Sequence, residues 1–176
     1  MKLAYFLSFV LFSNIIITQN NIEINEDALK YFNSYLTNKS VIDDVKGELS
    51  YNKYSNELSY KSTTVMYENP TTEKDIYFKM TVTFSIPIAE LNKIEEIILQ
   101  KGEIIIVQYK FHLNEKVKRT IETKEKGKWL DKKTTYDNTV FLSPNGKINL
   151  TDLTKIKSVF RDIFSNIEIK SKIEQR

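Results

Sequence analysis

The chain has 176 residues, a formal net charge of +3 and no cysteine. The missing cysteine excludes disulfide staples, thiol nucleophiles, Cys-type zinc sites and a lipid-modified N-terminal cysteine. Lysine outnumbers arginine 23 to 3 and is interleaved with 23 carboxylates. The small positive charge is therefore not the basic stripe of a nucleic-acid-binding protein, and no nucleic-acid partner is expected.

Taken from the N-terminus, Lys2 is a short positive region. Residues 3–17 are apolar apart from Ser8, Ser13 and Asn14, and polar sequence begins at Thr18. A membrane-spanning helix needs about 20 apolar residues, whereas a signal-peptide core takes about 7–15. Residues 1–18 thus read as a signal peptide cut before Gln19. The body of the protein is expected to be exported, periplasmic or extracellular, with membrane contact only through this segment if it stays uncleaved. Removing 18 of the 176 residues leaves 158, the size of one domain. We place that domain at residues 19–167, followed by a charged tail at 168–176 that is expected to fray.

Residues 25–36 predict a helix. Asn25 is a good N-cap, Glu26 and Asp27 stand where the helix dipole favours negative charge, and Leu29, Phe32 and Leu36 share a face. From about Val41 the apolar period falls from 3.6 to 2. Residues 48–54 and 57–67 predict two strands joined at Ser55-Asn56. Residues 75–87 give the cleanest alternation, with Ile76, Phe78, Met80, Val82, Phe84 and Ile86 facing a core and Tyr77, Lys79, Thr81, Thr83 and Ser85 facing water. Residues 89–99 read as a short helix or turn carrying Leu91, Ile94 and Ile98. Residues 103–113 predict a strand with Ile105, Val107, Tyr109, Phe111 and Leu113 inward, and 117–123 continue or pair with it. A charged turn surrounds Gly127, and 129–133 and 139–142 are two further candidate strands. Pro144-Asn145-Gly146 signals a hairpin with 147–150 as its return strand. A last helix over 152–167, capped by Thr151 or Asp152, carries Leu153, Ile156, Val159, Phe160, Ile163 and Phe164 as one stripe. The expected fold is α+β: an N-terminal helix, an antiparallel sheet of about six to eight strands, and a C-terminal amphipathic helix packed on one sheet face.

Catalytic signatures are missing from this pattern. His112 is the single histidine and, with Gln108 and Lys110, falls on the outward side of its strand. A general base needs a partner within hydrogen-bond reach, which the sequence does not supply. No Gly-x-Ser-x-Gly elbow or phosphate-cradling glycine pattern occurs. Asp43-Asp44 and Glu95-Glu96 are adjacent pairs, and adjacent side chains on a strand or helix point apart. The sequence predicts no catalytic residue, no metal site and no cofactor, hence no enzyme. Acids brought together from separate strands remain a third option, a hydrolase.

Two apolar features invite a binding role. Tyr51, Tyr54, Tyr60, Tyr67 and Tyr77 lie in or beside the first strands and form a possible aromatic surface. Met80, Phe84, Phe111, Phe160 and Phe164 form a possible cavity lining between sheet and C-terminal helix. Trp129, a large aromatic, is assigned to the core. The leading expectation is an exported, non-catalytic domain binding a protein or other envelope partner, with an exposed strand edge as a docking place. The alternative is a carrier of a lipid or other apolar small molecule in that cavity.

Overall fold

A computed structural model describes residues 23–39, 43–68, 76–101, 104–144 and 148–175. The signal segment at 1–18 and the Asn145-Gly146 turn lie outside these residues. Helix α1 (Glu26–Asn33) starts where the Asn25 side chain accepts a hydrogen bond from the Ala28 amide at 3.1 Å. A 3-10 turn, Ser34–Leu36, finishes it, so Leu29, Phe32 and Leu36 are all buried. Strands β1 (Thr37–Lys39), β2 (Asp43–Asn52), β3 (Glu57–Tyr67) and β4 (Ile76–Pro87) then form an antiparallel meander. Asn56 takes a left-handed φ of 51° in the β2–β3 turn, where asparagine tolerates it. Helix α1 also closes part of the sheet edge: the Asn33 side-chain amide donates to the Leu49 carbonyl at 2.9 Å and its oxygen accepts the Leu49 backbone N–H at 2.7 Å. Gly47 lies beneath the same helix end, where a Cβ would stand 2.8 Å from that of Leu36.

The expected helix or turn at 89–99 is wrong. After a 3-10 turn, Ile88–Glu90, the chain continues as β5 (Leu91–Lys101). Ile94, Glu96 and Ile98 all point inward. A glutamate at the middle inward position hides the two-residue period, and Leu91, Ile94 and Ile98 imitate helical spacing. The expected strands at 103–113 and 117–123 are one strand, β6 (Ile104–Glu125), and those at 129–133 and 139–142 are one strand, β7 (Lys128–Leu142). Lys126 (φ 46°) and Gly127 (φ 78°) join them in a tight turn, both in the left-handed region that such hairpins require.

The hairpin return expected at 147–150 is also overturned. Ile148 makes only an isolated bridge to Ile105, and Asn149 caps helix α2 (Leu150–Ile163), accepting from the Asp152 amide at 2.8 Å. The tail is not frayed. It forms β8 (Ile169–Gln175), which pairs with β5 in parallel, so the sheet is mixed rather than antiparallel.

The chain is thus α+β and mostly sheet, with eight strands and two α-helices among the described residues. The strand order is β1-β2-β3-β4-β6-β5-β8, with β7 along the other side of β6. Strand β6 meets β4 through residues 119–125 and β5 through 104–113, while β7 accompanies both stretches. Between them, residues 113–116 bulge opposite Asn138.

The two stretches differ in cover. Over the first, Tyr109 stacks on Phe160 of α2 at 3.5 Å between ring centroids, and Phe111 meets Phe164 edge-on at 5.5 Å. Phe32 of α1 completes the group, 5.1 Å from Phe160. Over the second, no residue of 61–67, 76–83, 118–125 or 128–139 is buried. The expectation of a covered face along all of β4 therefore holds for Phe84 and Ile86, with Val82 half-buried against the same core, and not for Ile76, Phe78 and Met80.

Candidate functional site

The uncovered part of the sheet is where side chains are free for a partner, and its cross-strand register arranges them in three rows. The first row is Lys61, Thr83, Thr120 and Thr134, the second Thr63, Thr81, Glu122 and Lys132, the third Val65, Lys79, Lys124 and Trp129. Strand neighbours stand about 4.8 Å apart and alternate residues about 7 Å apart, so the grid covers roughly 14 Å in each direction. It forms the wall of an open groove of about 400 Å³.

Within the grid the four lysines share one carboxylate, Glu122, and on β2 Glu48 stands directly opposite Lys61. Lys132 bonds Glu122 at 2.8 Å. That contact, helped by the fields of Lys124 and Lys61, holds the Glu122 carboxyl below its usual range. Lys79 and Lys124 are direct cross-strand partners, an arrangement of like charges that destabilises a sheet. Lys124 finds partial relief over the Trp129 ring, with its Nζ 4.0 Å from the centroid. Thr63 and Thr81 bring their hydroxyls to 3.4 Å. Trp129 itself is 60% exposed, which corrects its assignment to the core. It sits three residues past the start of the tight hairpin turn, beyond the reach of either helix.

The opposite side of the same strands holds a second groove of about 420 Å³, with Tyr60, Phe84 and Phe141 as aromatic walls. Arg119 lies across it, its guanidinium 5.5 Å from the Phe84 ring and its Nη1 3.4 Å from Asp137. This charge is already answered, and the groove carries no surplus.

Two ionic clusters occupy the covered part. His112 Nε2 stands 2.8 Å from Glu95, which Lys93 also bonds at 3.0 Å. The close approach of His112, then the Lys93 hydrogen bond, pushes the Glu95 carboxyl down to about 2. The pair brings an imidazole to a carboxylate, but both are strand side chains on an open face. Deeper in, wholly buried Glu96 accepts from Lys157 of α2 at 2.8 Å and from Ser171 of β8 at 2.7 Å, both on Oε1. Its Oε2 and the Tyr109 hydroxyl are buried without an aligned hydrogen bond. Burial and the Glu96 charge push the Tyr109 hydroxyl up. This cluster pins helix and last strand to β5. No group of three or more His, Asp or Glu among the described residues could hold a metal ion.

The five tyrosines do not gather into one surface. Tyr60 is buried and stacks on Phe84 at 6.5 Å, while Tyr51 is half-buried and bonds Asn56. Tyr54 stands exposed in the β2–β3 turn. Tyr67, bonded to Asp44, and Tyr77 lie at the other end of the strands. Strand alternation and strand length separate residues that the linear sequence puts close together. The five apolar residues do not line one cavity either. Phe111, Phe160 and Phe164 pack ring against ring, Phe84 belongs to the Tyr60 stack, and Met80 lies half-buried between Thr64 and Thr123 in the uncovered part.

The lysine grid escaped sequence reasoning because its members come from four strands and each alone resembles an ordinary solvated lysine. One local signal was present: Lys-Trp-Leu-Asp-Lys-Lys at 128–133 puts a tryptophan among charges beside a turn. No protein-family model, curated protein or solved structure matches the chain.

Proposed function

We propose that the protein is an exported, non-catalytic binding domain that holds a partner at the cell envelope through the uncovered part of its sheet. The observation that carries this reading is the grid of Lys61, Lys79, Lys124 and Lys132 with Thr63, Thr81 and Trp129. With Glu122 beside Lys132 and Glu48 opposite Lys61, the facing Lys79 and Lys124 still leave a positive surface that a partner can satisfy. An exposed tryptophan adds flat apolar area of the sort that anchors interfaces. Export rests on the charge and length of residues 1–18.

The test is fractionation of the native host with N-terminal sequencing of the recovered protein. The expected chain begins at Gln19 and stays with the envelope fraction at low salt. A Lys79→Glu, Trp129→Ala double variant is expected to move to the soluble exported fraction without a loss of melting temperature. Wild-type protein found in the cytosol, or equal retention of the double variant, overturns the proposal.

A further inference from the structure

We infer that the lysine grid is a site for an acidic polysaccharide, one carrying uronate or sulfate groups on a hydroxyl-rich chain. The inference rests on the binding role just proposed and specifies the chemistry of its partner. Three features of the grid select that chemistry. The first is charge: Lys79 and Lys124 face each other directly, with Lys61 on the same groove wall. Because like charges in that position destabilise the sheet, an anion lying between them removes an unfavourable interaction as well as adding a favourable one. The second is the hydroxyl set of Thr63, Thr81 and Thr83, which lines the groove between the lysines. A hydroxyl both donates and accepts, and so matches the hydroxyls of a sugar. The third is Trp129, whose exposed ring stands at one end of the Lys79–Lys124 row. The ring face that Lys124 does not cover can take the apolar C–H face of a sugar ring while Lys124 serves an acidic substituent.

Other polyanions fit less well. The grid contains no arginine, the residue suited to bidentate phosphate contacts. It has one tryptophan where single-stranded nucleic acid calls for a series of stacking rings. A groove wall four strands wide suits a polymer lying across the sheet, and the direction of the third row, from Lys79 through Lys124 to Trp129, sets how the chain runs.

The experiment uses protein recovered from the host envelope. Affinity is measured separately for polygalacturonate, dextran sulfate, neutral dextran, phosphatidylglycerol vesicles and oligo(dT), at low and high salt. At least one of the two acidic polysaccharides is expected to bind at least about tenfold more tightly than neutral dextran, and to weaken with salt. Lys79→Glu and Trp129→Ala are each expected to lower that affinity about tenfold. Lys155→Glu, an exposed lysine on α2 outside the grid, is expected to change it less than about twofold.

Equal binding to acidic and neutral polymers overturns the inference, as does binding to vesicles or oligo(dT) in place of the polysaccharides. An effect of Lys155→Glu as large as that of Lys79→Glu would show bulk charge rather than a site, and likewise overturns it. Loss of polysaccharide binding with envelope retention intact removes the polysaccharide and leaves the binding role standing. Loss of envelope retention by wild-type protein removes both.

Discussion

The two stretches of the β6–β7 hairpin share a backbone but are held in different ways. In the first, both helices cover one face, and Tyr109, Phe111, Val140 and Leu142 are fully buried. In the second, the same strands extend into solvent with no buried residue on either face. Strands that lack a buried hydrophobic face are marginal in water, so the extension, although β6 there also pairs with β4, borrows its order. Its register is set where β6 and β7 are packed against the helices, and is fixed again at the far end by the Lys126-Gly127 turn. The meeting of Lys124 with Lys79 belongs to the register of β6 against β4, which runs unbroken from Phe84 opposite Arg119 to Phe78 opposite Glu125. Packing is concentrated in one region, and the chemistry available to a partner in the other.

That contrast breaks most clearly at Phe160 and Trp129. Phe160→Ala removes the ring shared by Tyr109, Phe111, Phe164 and Phe32. It should lower unfolding free energy by about 3–5 kcal/mol in urea titration. Trp129→Ala, on a side chain of similar size, should change it by no more than about 0.5 kcal/mol. Equal losses would mean that the extension is part of the core.

Next in size is the buried ion pair. Glu96→Ala leaves Lys157 and Ser171 without their acceptor and should cost about 3 kcal/mol. Because an ion pair removed whole can be replaced by apolar side chains with little penalty, the double variant Glu96→Leu, Lys157→Leu should recover most of that loss. Failure of the double variant to recover would assign the cluster a role beyond pinning α2 and β8. At the sheet edge, Asn33→Ala strands the buried backbone of Leu49. A loss of about 1–2 kcal/mol is expected, with faster amide exchange at Leu49.

The smaller effects test the electrostatics. The Glu95 carboxyl is lowered from 4.5 to about 2 by His112 and Lys93. Its stabilising contribution is therefore complete above about pH 4.5 and is lost as pH falls towards 2. The pair is partly exposed, so no more than about 1 kcal/mol rides on it. A Glu95→Gln variant should flatten the acid limb of the stability profile by that amount. Lys79→Thr should raise stability by a few tenths up to about 1 kcal/mol, because it separates two like charges. A gain in stability accompanied by a loss of binding would show that the lysine pair is kept for a partner. A loss of stability would show that Lys79 packs in a way the like-charge argument misses.

Local chemistry made several elements legible in the linear chain. Asn25 announced helix α1 because a cap acts within three residues, and the alternation of β4 followed from its own side chains. The turn at Gly127 was readable because a left-handed φ favours glycine there. Strand β5 was not readable, since its inward Glu96 is tolerated only through Lys157 and Ser171, 61 and 75 residues further on. The segment at 168–176 looked like a charged tail because only its pairing with Ile94 and its neighbours makes it a strand.

The sequence by itself determined an α+β chain with two amphipathic helices around strands, since capping, turn residues and periodicity act over a few positions. Tertiary structure alone decided that the last strand is parallel, that the five tyrosines part company, and that Lys61, Lys79, Lys124 and Trp129 share one surface. Those outcomes depend on cross-strand register. Register is set by packing and turns far along the chain, and no short window of residues contains it.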